Sequence, residues 1–259
     1  MSDASRLDLD SFSLAAATAD LAEEPAAREH ADCLEFRMDL AAEPLDALAD
    51  YDGKLPLLVT NRPRWEGGDT APYGRLDALA TAVEHEAVAA VDVELATLRG
   101  RPEGTNDVDA AGLFDRARSH DAAVVASVHD FDGTPAPATL DRLLRAAAAA
   151  GDVGKLAVTA RTRGDALALL SATHRATTRG DRVATTAMGE HGSHTRAVAP
   201  AYGSCSGTRP RRGRPSSDSR HPSSVDRRSV TRPPTRSTPT ARPGADGRLS
   251  RGRRPSDGV

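Results

Sequence analysis

The sequence predicts an α/β protein with the fold of a (β/α)8 TIM barrel whose last β/α unit is incomplete. Seven short apolar runs, often rich in valine, alternate with segments of helical periodicity within about 190 residues. Polar residues follow the ends of several runs, where a barrel places its active site. A doubly wound open sheet is the alternative. That fold is expected to carry a glycine-rich phosphate-binding loop after the first strand, but the Ala-Ala-Ala-Thr segment at 15–18 contains no glycine.

The individual elements follow from two periodicities. Strands are predicted at the apolar runs, which lie at residues 12–16, 33–40, 55–60, 89–95, 122–129, 153–159 and 182–188. Helices are predicted where Ala and Leu recur at three- and four-residue spacing opposite charges, at 18–30, 44–51, 73–86, 109–119, 137–150 and 163–179. Alternation of the two patterns predicts parallel strands joined by helices.

The charge distribution divides the chain into two parts. Residues 1–200 carry a net charge of −13 and residues 201–259 a net charge of +10, which together give the overall −3. The acidic, lysine-poor first part is typical of a salt-adapted surface. The second part is a mixture of Arg, Pro, Ser, Thr and Gly without hydrophobic periodicity, which cannot bury enough apolar surface to order itself. We therefore expect a barrel domain at 1–204 and a disordered tail at 205–259.

Two explanations of the tail compete. Clustered arginines would suit a nucleic-acid-binding arm, but the tail has no aromatic residue after Tyr202 to stack on bases, so a nucleic-acid partner is disfavoured. GC-rich coding DNA read out of frame yields the same mixture of residues. We favour a shifted reading frame near Ser204, which would leave the barrel without most of its eighth strand and helix.

Cysteine content and hydropathy bear on the compartment. The two cysteines, Cys33 and Cys205, are too few for a disulfide framework, and Cys33 fits a buried free thiol. No apolar stretch approaches the roughly 18 residues that span a bilayer, and no signal segment is recognisable. We expect a soluble, cytoplasmic protein. No cluster of His, Cys and carboxylates has ligand spacing, so neither a metal nor another cofactor is expected.

One lysine stands out because the chain has only two. Lys155 lies within the apolar run Val-Gly-Lys-Leu-Ala-Val-Thr, whereas Lys54 lies in a polar turn. Burial disfavours the ammonium form, so we expect the pKa of Lys155 to fall, leaving an amine able to form an imine with a ketone. The alternatives are a buried lysine paired with a carboxylate, or one whose head reaches solvent.

Further polar residues are positioned to join Lys155. Alternation along strands puts residues of the same parity on one face, which in a barrel points inward. Each residue taken singly is as well explained by a salt bridge or a surface charge. Together they are predicted to converge on one cavity, because burying so many ions without a function is costly. They are Glu35, Arg37, Asp39, Arg62, Glu66, Asp92, Glu94 and His129.

Six segments in order carry a resemblance to a known family. They are Glu-Phe-Arg-Met-Asp at 35–39, Thr-Asn-Arg-Pro-Arg-Trp-Glu-Gly-Gly at 60–68, Asp-Val-Glu-Leu at 92–95, Ser-Val-His-Asp-Phe at 127–131, Gly-Lys at 154–155 and Met-Gly-Glu-His-Gly-Ser-His-Thr-Arg at 188–196. From about residue 10 to about residue 204 the chain resembles type I 3-dehydroquinate dehydratase, a lyase of the shikimate pathway in aromatic amino-acid biosynthesis.

The resemblance implies roles for seven residues. Lys155 would form a Schiff base with the ketone of 3-dehydroquinate, His129 would act as general acid and base, and Glu66 would orient that histidine. The positions matching those that hold the hydroxyls and carboxylate of the substrate are Glu35, Arg37, Arg62 and Arg196. Histidine suits proton transfer because it titrates near neutrality. The resemblance also implies a homodimer. Three other histidines are not accompanied by charged residues of this kind and are expected to face solvent: His120, His174 and His194.

Rival interpretations stay open at this point. Another Schiff-base barrel, such as a class I aldolase, would use the same lysine chemistry. The family continues after Ser204 with a last strand and a loop that carries a serine and a glutamine, whereas this chain contains no glutamine. An inactive, truncated pseudoenzyme is therefore a second alternative.

Overall fold

The computed structural model describes Leu7 and residues 13–101 and 107–209. Eight strands form a single sheet in the order β7-β6-β5-β4-β3-β2-β1-β8, and all the pairings are parallel. The strands are β1 Ser13–Thr18, β2 Cys33–Arg37, β3 Leu57–Thr60, β4 Val88–Glu94, β5 Ala123–Asp130, β6 Val153–Thr159, β7 Val183–Met188 and β8 Ser206–Arg209. The predicted β/α alternation is confirmed.

The eighth strand, expected to be mostly missing, is present. β8 pairs with β1 in parallel from Ser13↔Ser206 to Ala16↔Arg209. The open edge of the sheet therefore lies between β7 and β8. Within the described chain that seam is bridged by two hydrogen bonds, from the Cys205 amide to the Val183 carbonyl at 2.9 Å and from the Thr185 amide to Ser204 Oγ at 3.1 Å. The predicted disorder of the tail from residue 210 onward lies outside the described residues.

The helices pack on the outside of the sheet. They are α1 Glu24–Ala27, α2 Pro44–Ala49, α3 Arg75–Ala82, α4 Leu95–Leu98, α5 Ala110–Ser119, α6 Pro137–Ala148, α7 Arg163–Thr178 and α8 Thr195–Val198. Short 3₁₀ helices lie at Leu21–Glu23, Met38–Leu40, Arg64–Glu66, Glu190–Gly192 and Ala199–Tyr202. No helix in these described ranges is both long and apolar enough to cross a membrane.

The ends of the helices follow local chemistry. The long helix α7 begins at a capping box in which Thr162 Oγ1 accepts from the Asp165 amide and the Asp165 carboxylate accepts from the Thr162 amide. The helix predicted at 18–30 is wrong for most of its length. Pro25 fits only the first turn of a helix, so α1 begins beside it and ends at Ala27.

Apolar residues fill two separate layers. The outer layer lies between the strands and the helices, and includes Leu57, Leu79, Leu140 and Leu169, each 0% exposed. A second, smaller cluster comes from alternate residues of neighbouring strands, namely Leu58, Ala90, Val125, Val153 and Ala184. Because side chains alternate between the faces of a strand, this second cluster fills the barrel interior. A cavity of about 40 Å³ separates it from Lys155.

Candidate active site

The predicted charges gather at the carboxyl ends of the strands. Glu35 and Arg37 come from β2, Arg62 and Glu66 from the loop after β3, His129 from β5 and Lys155 from β6. Five of them belong to one connected network of hydrogen bonds and ion pairs: Glu35, Arg62, Glu66, His129 and Lys155. Arg37 is neutralised by its own partner, and Arg196 lies apart on α8.

Lys155 lies between two carboxylates. Its Nζ atom is 3.0 Å from Glu35 Oε1 and 2.9 Å from Asp92 Oδ2, and the lysine side chain is 15% exposed. Burial alone would lower the pKa of Lys155, but Asp92 and Glu35 outweigh it and the pKa is raised above the ordinary value. The expectation of a lowered pKa is therefore wrong for the free protein. The sequence run gave no sign of carboxylates contributed by distant strands.

His129 is tied to Glu66 through both its backbone and its ring. Glu66 Oε1 accepts from the His129 amide at 2.8 Å and lies 3.0 Å from His129 Nδ1. Burial, then Arg62 and Lys155, lower the pKa of His129 well below its ordinary value. Burial, then Glu94, raise the pKa of Glu66 to about 8. The group with a pKa near neutrality is thus the glutamate, and the expectation that the histidine would titrate there is wrong.

A tight turn carries Glu66 to the histidine. The 3₁₀ helix Arg64–Glu66 is followed by Gly67 at φ +80°, a conformation that suits glycine. At Gly68 a Cβ atom would lie 1.9 Å from the Arg62 carbonyl oxygen, so the backbone returns on itself here without a side chain. Phe131 fills the space beside Gly67 and stacks on His129, with ring centroids 6.0 Å apart. The two glycines therefore set where Glu66 meets the imidazole.

Arg62 links the two halves of the network. Its Nη2 atom lies 2.8 Å from Asp92 Oδ1, and its Nη1 atom lies 3.2 Å from both Glu94 Oε1 and His129 Nδ1. Ser127 accepts a hydrogen bond from Arg62 Nη1 at 3.0 Å and donates one to Asp92 Oδ1 at 2.6 Å. Burial would raise the pKa of Asp92, but Arg62 and Lys155 favour its ionised form and hold this pKa far below its ordinary range.

Asp92 and Glu94 were placed at the cavity by sequence reasoning but received no role. Both are 0% exposed. Their alternation in the run Val-Asp-Val-Glu was the available signal, since two acids in a buried strand need partners. Ser127 belongs to the segment at 127–131 that carries the family resemblance, but sequence reasoning gave it no role. Its hydroxyl carried no recognisable signal in the sequence.

The remaining two predicted residues differ in their surroundings. Arg37 forms two hydrogen bonds with Asp39, at 2.8 and 2.7 Å, which fix its guanidinium at the end of β2. Arg196 is half-buried, and within the described chain its buried Nε atom has no hydrogen-bond partner. Burial lowers the pKa of Arg196. A buried donor without a partner is suited to an anionic ligand.

The other candidate groups stay outside the network. His120, His174 and His194 are exposed, as expected, and Lys54 is exposed as well. Cys33 is a buried free thiol, as predicted, and burial raises its pKa to about 12, so it is a poor nucleophile. Among the described residues no group of three or more His, Cys, Asp or Glu side chains is arranged to hold a metal ion.

The geometry places a primary amine, a proton-transfer pair and several fixed charges in one connected network. An amine between two carboxylates can form an iminium ion, because the same carboxylates that stabilise the ammonium stabilise the iminium. A neutral imidazole held by a carboxyl group can take or give a proton. Arginine donors can bind a carboxylate. This combination suits covalent chemistry on a ketone that also carries a carboxylate.

Comparison with known proteins agrees with this geometry. The sequence model of the family described as type I 3-dehydroquinase matches residues 13–209. The match thus extends past Ser204, where the resemblance was expected to stop, and includes β8. Over 205 residues the chain is 55% identical to the 3-dehydroquinate dehydratase of Haloarcula marismortui, covering 79% of this chain and 88% of that protein. The corresponding protein of Halobacterium salinarum is 52% identical over 205 residues, with coverage of 79% and 89%.

Solved structures agree in fold. The crystal structure of 3-dehydroquinate dehydratase from Geobacillus kaustophilus superposes with a TM-score of 0.63 at 28% identity, covering 76% of this chain and 81% of that chain. The structure of the Enterococcus faecalis 3-dehydroquinate dehydratase superposes with a TM-score of 0.65 at 25% identity, covering 77% and 88%. With a family match over most of its length and relatives more than half identical, this chain belongs to the type I 3-dehydroquinase family.

Proposed function

We propose that this protein dehydrates 3-dehydroquinate to 3-dehydroshikimate through a Schiff base at Lys155. The observation that carries the proposal is the position of Lys155 Nζ, 2.9 and 3.0 Å from two buried carboxylates in the network that also includes the His129–Glu66 pair. Membership of the type I 3-dehydroquinase family supports the substrate. It also favours dehydration over the aldol chemistry of other Schiff-base barrels.

The reaction begins with the amine. Lys155 is an ammonium ion in the free protein, so it must lose a proton before its nitrogen attacks the ketone carbon. His129 is held neutral and lies two residues beyond Ser127, the strand partner of Lys155. With Glu66 ionised and accepting from Nδ1, the Nε2 atom of His129 can accept that proton. The imidazolium returns this proton to the carbinolamine hydroxyl, which leaves as water and gives an iminium ion whose positive charge is stabilised by Asp92 and Glu35.

Elimination follows from the iminium ion. His129 takes a proton from the carbon next to the iminium carbon, and the C–H electrons move toward nitrogen to give an enamine. The enamine electrons then return to form the new C=C bond, while the hydroxyl group on the next carbon departs and receives the proton from His129 as water. Hydrolysis of the conjugated imine by a second water releases 3-dehydroshikimate and regenerates the Lys155 amine.

Glu35, Arg37, Arg62 and Arg196 bind the hydroxyls and the carboxylate of the substrate in this proposal. Arg196 has a buried donor without a partner and would bind the substrate carboxylate. Arg37 is fixed by Asp39 and would hold a hydroxyl. Besides holding a substrate hydroxyl, Glu35 would stabilise the charge on Lys155. Its Oε1 atom accepts from Lys155 Nζ at 3.0 Å and from the Thr60 hydroxyl at 3.2 Å. Glu66 orients the imidazole of His129.

Two measurements test the proposal. Formation of the conjugated enone of 3-dehydroshikimate from 3-dehydroquinate is followed by ultraviolet absorbance, and no absorbance change with folded protein would contradict the activity. Borohydride reduction in the presence of substrate should then add the substrate mass to a single peptide that contains Lys155. An adduct on Lys54, or no adduct in an active preparation, would contradict the assignment.

The C-terminal boundary is a separate proposal. We propose that the barrel domain is followed by a tail that contributes nothing to the site, since the segment after β8 has reversed charge and no glutamine for the family's closing loop. Replacing residues 210–259 with the last loop and helix of a haloarchaeal relative should raise kcat/KM and Tm together. If truncation after Arg209 abolishes an activity that the full chain has, the tail is functional.

Compartment and assembly are further proposals, the first based on cysteine content and hydropathy and the second on the family resemblance. We propose a cytoplasmic enzyme that forms a homodimer and uses no metal or other cofactor. Light scattering at several protein concentrations measures the oligomeric state, and a monomer throughout would contradict the dimer. Activity that survives extensive dialysis against a chelator is expected, because imine chemistry on lysine needs no metal ion.

A further inference from the structure

Arg75 is a buried cation in a position that its helix does not favour. It is the first residue of α3 and is 1% exposed. The N-terminus of a helix carries a partial positive charge, so an arginine there is destabilising unless it has other partners. Burying a guanidinium costs further free energy unless it is paired. Helix packing alone therefore gives no reason for an arginine here.

The side chain of Arg75 leaves its helix and reaches the strand ends. Its Nη1 atom lies 2.9 Å from Glu94 Oε2 and donates to the Asn61 carbonyl at 3.1 Å. Its Nη2 atom donates to Thr97 Oγ1 at 3.1 Å. Asn61 returns a hydrogen bond from its side-chain amide to the Arg75 carbonyl at 3.3 Å. The guanidinium thus joins the segments that follow β3 and β4.

Glu94 connects Arg75 to the proposed catalytic pair. One oxygen of this buried carboxylate faces Arg75, and the other lies 3.2 Å from Arg62 Nη1. The same Arg62 nitrogen lies 3.2 Å from His129 Nδ1. Without Arg75, the carboxylate of Glu94 would keep Arg62 as its one charged partner among the described residues and would draw it from the histidine.

We propose that Arg75 is a positioning residue for the proposed dehydratase reaction, holding Glu94 so that Arg62 and Glu66 set the state of His129. The inference rests on the proposed function, but its structural part concerns the free protein alone. Arg75 does not touch the reacting atoms. It acts through two ion pairs in series, from α3 outside the barrel to the imidazole inside.

Charge coupling gives the proposal a measurable consequence. Burial raises the pKa of Glu94, and Arg75 is the group that opposes this most strongly. The ionised Glu94 is in turn, after burial, the main reason that the pKa of Glu66 is raised to about 8. The other charged groups that act on Glu66 are Arg62 and Asp92. Removal of Arg75 should raise the pKa of Glu94 further and so weaken its repulsion of an ionised Glu66, which should then ionise at lower pH.

Ionisation of Glu66 is visible in the histidine ring. When Glu66 is protonated, its hydroxyl donates to His129 Nδ1 and the ring proton is on Nε2. When Glu66 is ionised, it must accept, so the ring proton moves to Nδ1. Long-range proton–nitrogen NMR spectra distinguish the two tautomers. The His129→Ala variant identifies the signal among the eight histidines of the chain.

The experiment compares four variants with the wild-type protein by following the His129 tautomer from pH 6 to pH 10. In Arg75→Met and Glu94→Gln the midpoint of the tautomer change should move to lower pH, because the first reduces and the second removes the negative charge of Glu94. Arg75→Lys keeps the charge and should move it least. Arg175→Met removes an arginine from the exposed pair with Asp141 and should leave the midpoint unchanged.

Kinetics provide the second measurement. Arg75→Met should lower kcat by about 10- to 100-fold through misplacement of His129, while KM changes little and Arg75→Lys recovers part of the loss. If the midpoint of the tautomer change is the same in wild type, Arg75→Met and Glu94→Gln, and kcat falls only with the folded fraction, the proposal is overturned; Glu94→Gln alone decides it if Arg75→Met does not fold. A shifted midpoint in a protein without dehydratase activity would instead overturn the proposed function and leave the positioning link intact.

Discussion

The upper part of the barrel interior and the layer outside the strands are equally buried but differ in chemistry. Asp92 and Glu94 are 0% exposed, and so are Leu57 and Leu169. Burial of the leucines stabilises the fold by roughly 1.5–3 kcal/mol each, whereas burial of the acids costs free energy that ion pairing only partly offsets. Most of the apolar burial that stabilises this barrel lies outside its strands. The charged cluster around Lys155 and Arg62 in the upper interior, called the mouth below, is therefore retained for another purpose.

Pairing of opposite charges reduces the free-energy cost of burying the ions at the mouth. Four cations, Arg37, Arg62, Arg75 and Lys155, face four carboxylates in ion pairs of 2.7–3.2 Å. The four carboxylates are Glu35, Asp39, Asp92 and Glu94. The four positive charges already balance the four negative charges, so Glu66 and His129 are most stable in their neutral forms. This agrees with the raised pKa of Glu66 and the lowered pKa of His129.

The largest effect on activity is expected at Lys155. Lys155→Arg keeps a cation between Glu35 and Asp92, so the fold should survive, but a guanidinium cannot form the imine. Turnover and borohydride-trapped adduct should both be lost. Lys54→Arg is the matched control, because Lys54 is exposed, and should keep both. Turnover in folded Lys155→Arg would show that the charge, and not the amine, matters at the mouth.

The second effect concerns proton transfer. His129→Ala should lower kcat by about 10²- to 10⁴-fold, the usual contribution of a positioned acid and base. Substrate binding should persist, because the binding residues belong to other elements. Isothermal titration with 3-dehydroquinate and stopped assays measure the two quantities separately. Turnover close to that of the wild type would assign proton transfer to another group.

The third effect is on stability and comes from the outer layer. Leu169 is a fully buried residue of α7, and Leu169→Ala should lower the free energy of unfolding by about 2–5 kcal/mol. Urea titration measures this change. Activity per folded molecule should be unchanged, since Leu169 makes no contribution to the mouth. Leu167→Ala, on the exposed side of the same helix, is the control. A loss of kcat in the folded Leu169 variant would mean that the two regions are coupled.

The outer layer was also the part that the sequence predicted best. The strand predicted at 153–159 agrees with β6 Val153–Thr159, and the helix predicted at 163–179 agrees within one residue with α7 Arg163–Thr178. Both predictions rest on the spacing of hydrophobic residues along the sequence, which indicates directly which side chains are buried. The short α4 and the strand β8 were missed. Ser206-Gly-Thr-Arg has no apolar run, and its strand depends on pairing with β1.

At the mouth, residue types could be predicted but not their protonation. The alternation of Glu35, Asp92 and His129 with apolar neighbours placed them in the interior. The pKa of Lys155 could not be read from its own run, because the carboxylates that raise it lie 63 and 120 residues away in the chain. Protonation in a buried cluster depends on the sum of all charges nearby, and only the folded arrangement supplies that sum.

The fourth predicted effect is a change in the pH dependence of stability when Glu66 is replaced by a side chain that is always neutral. The pKa of Glu66 is about 8 in the folded protein against an ordinary value of 4.5. A carboxyl group with a raised pKa favours the folded state fully below about pH 4.5, and this contribution is lost as pH rises to about 8. Glu66→Gln does not titrate. Its free energy of unfolding relative to wild type should therefore increase between pH 5 and pH 9, by a few kcal/mol at about 1.4 kcal/mol per pKa unit.

Urea titrations of both proteins at pH 5, 7 and 9 measure that difference, and groups that titrate alike in the two proteins cancel. Between pH 5 and pH 9 His129 titrates only in the unfolded state, because its pKa in the folded protein is lowered well below this range, so its contribution is the same in both proteins and cancels. Glu23→Gln is a control, because Glu23 lies outside the mouth and accepts from the Thr18 hydroxyl at 2.8 Å. Parallel stability curves for wild type and Glu66→Gln would mean that Glu66 is ionised throughout, and the charge balance of the mouth would then include a fifth carboxylate.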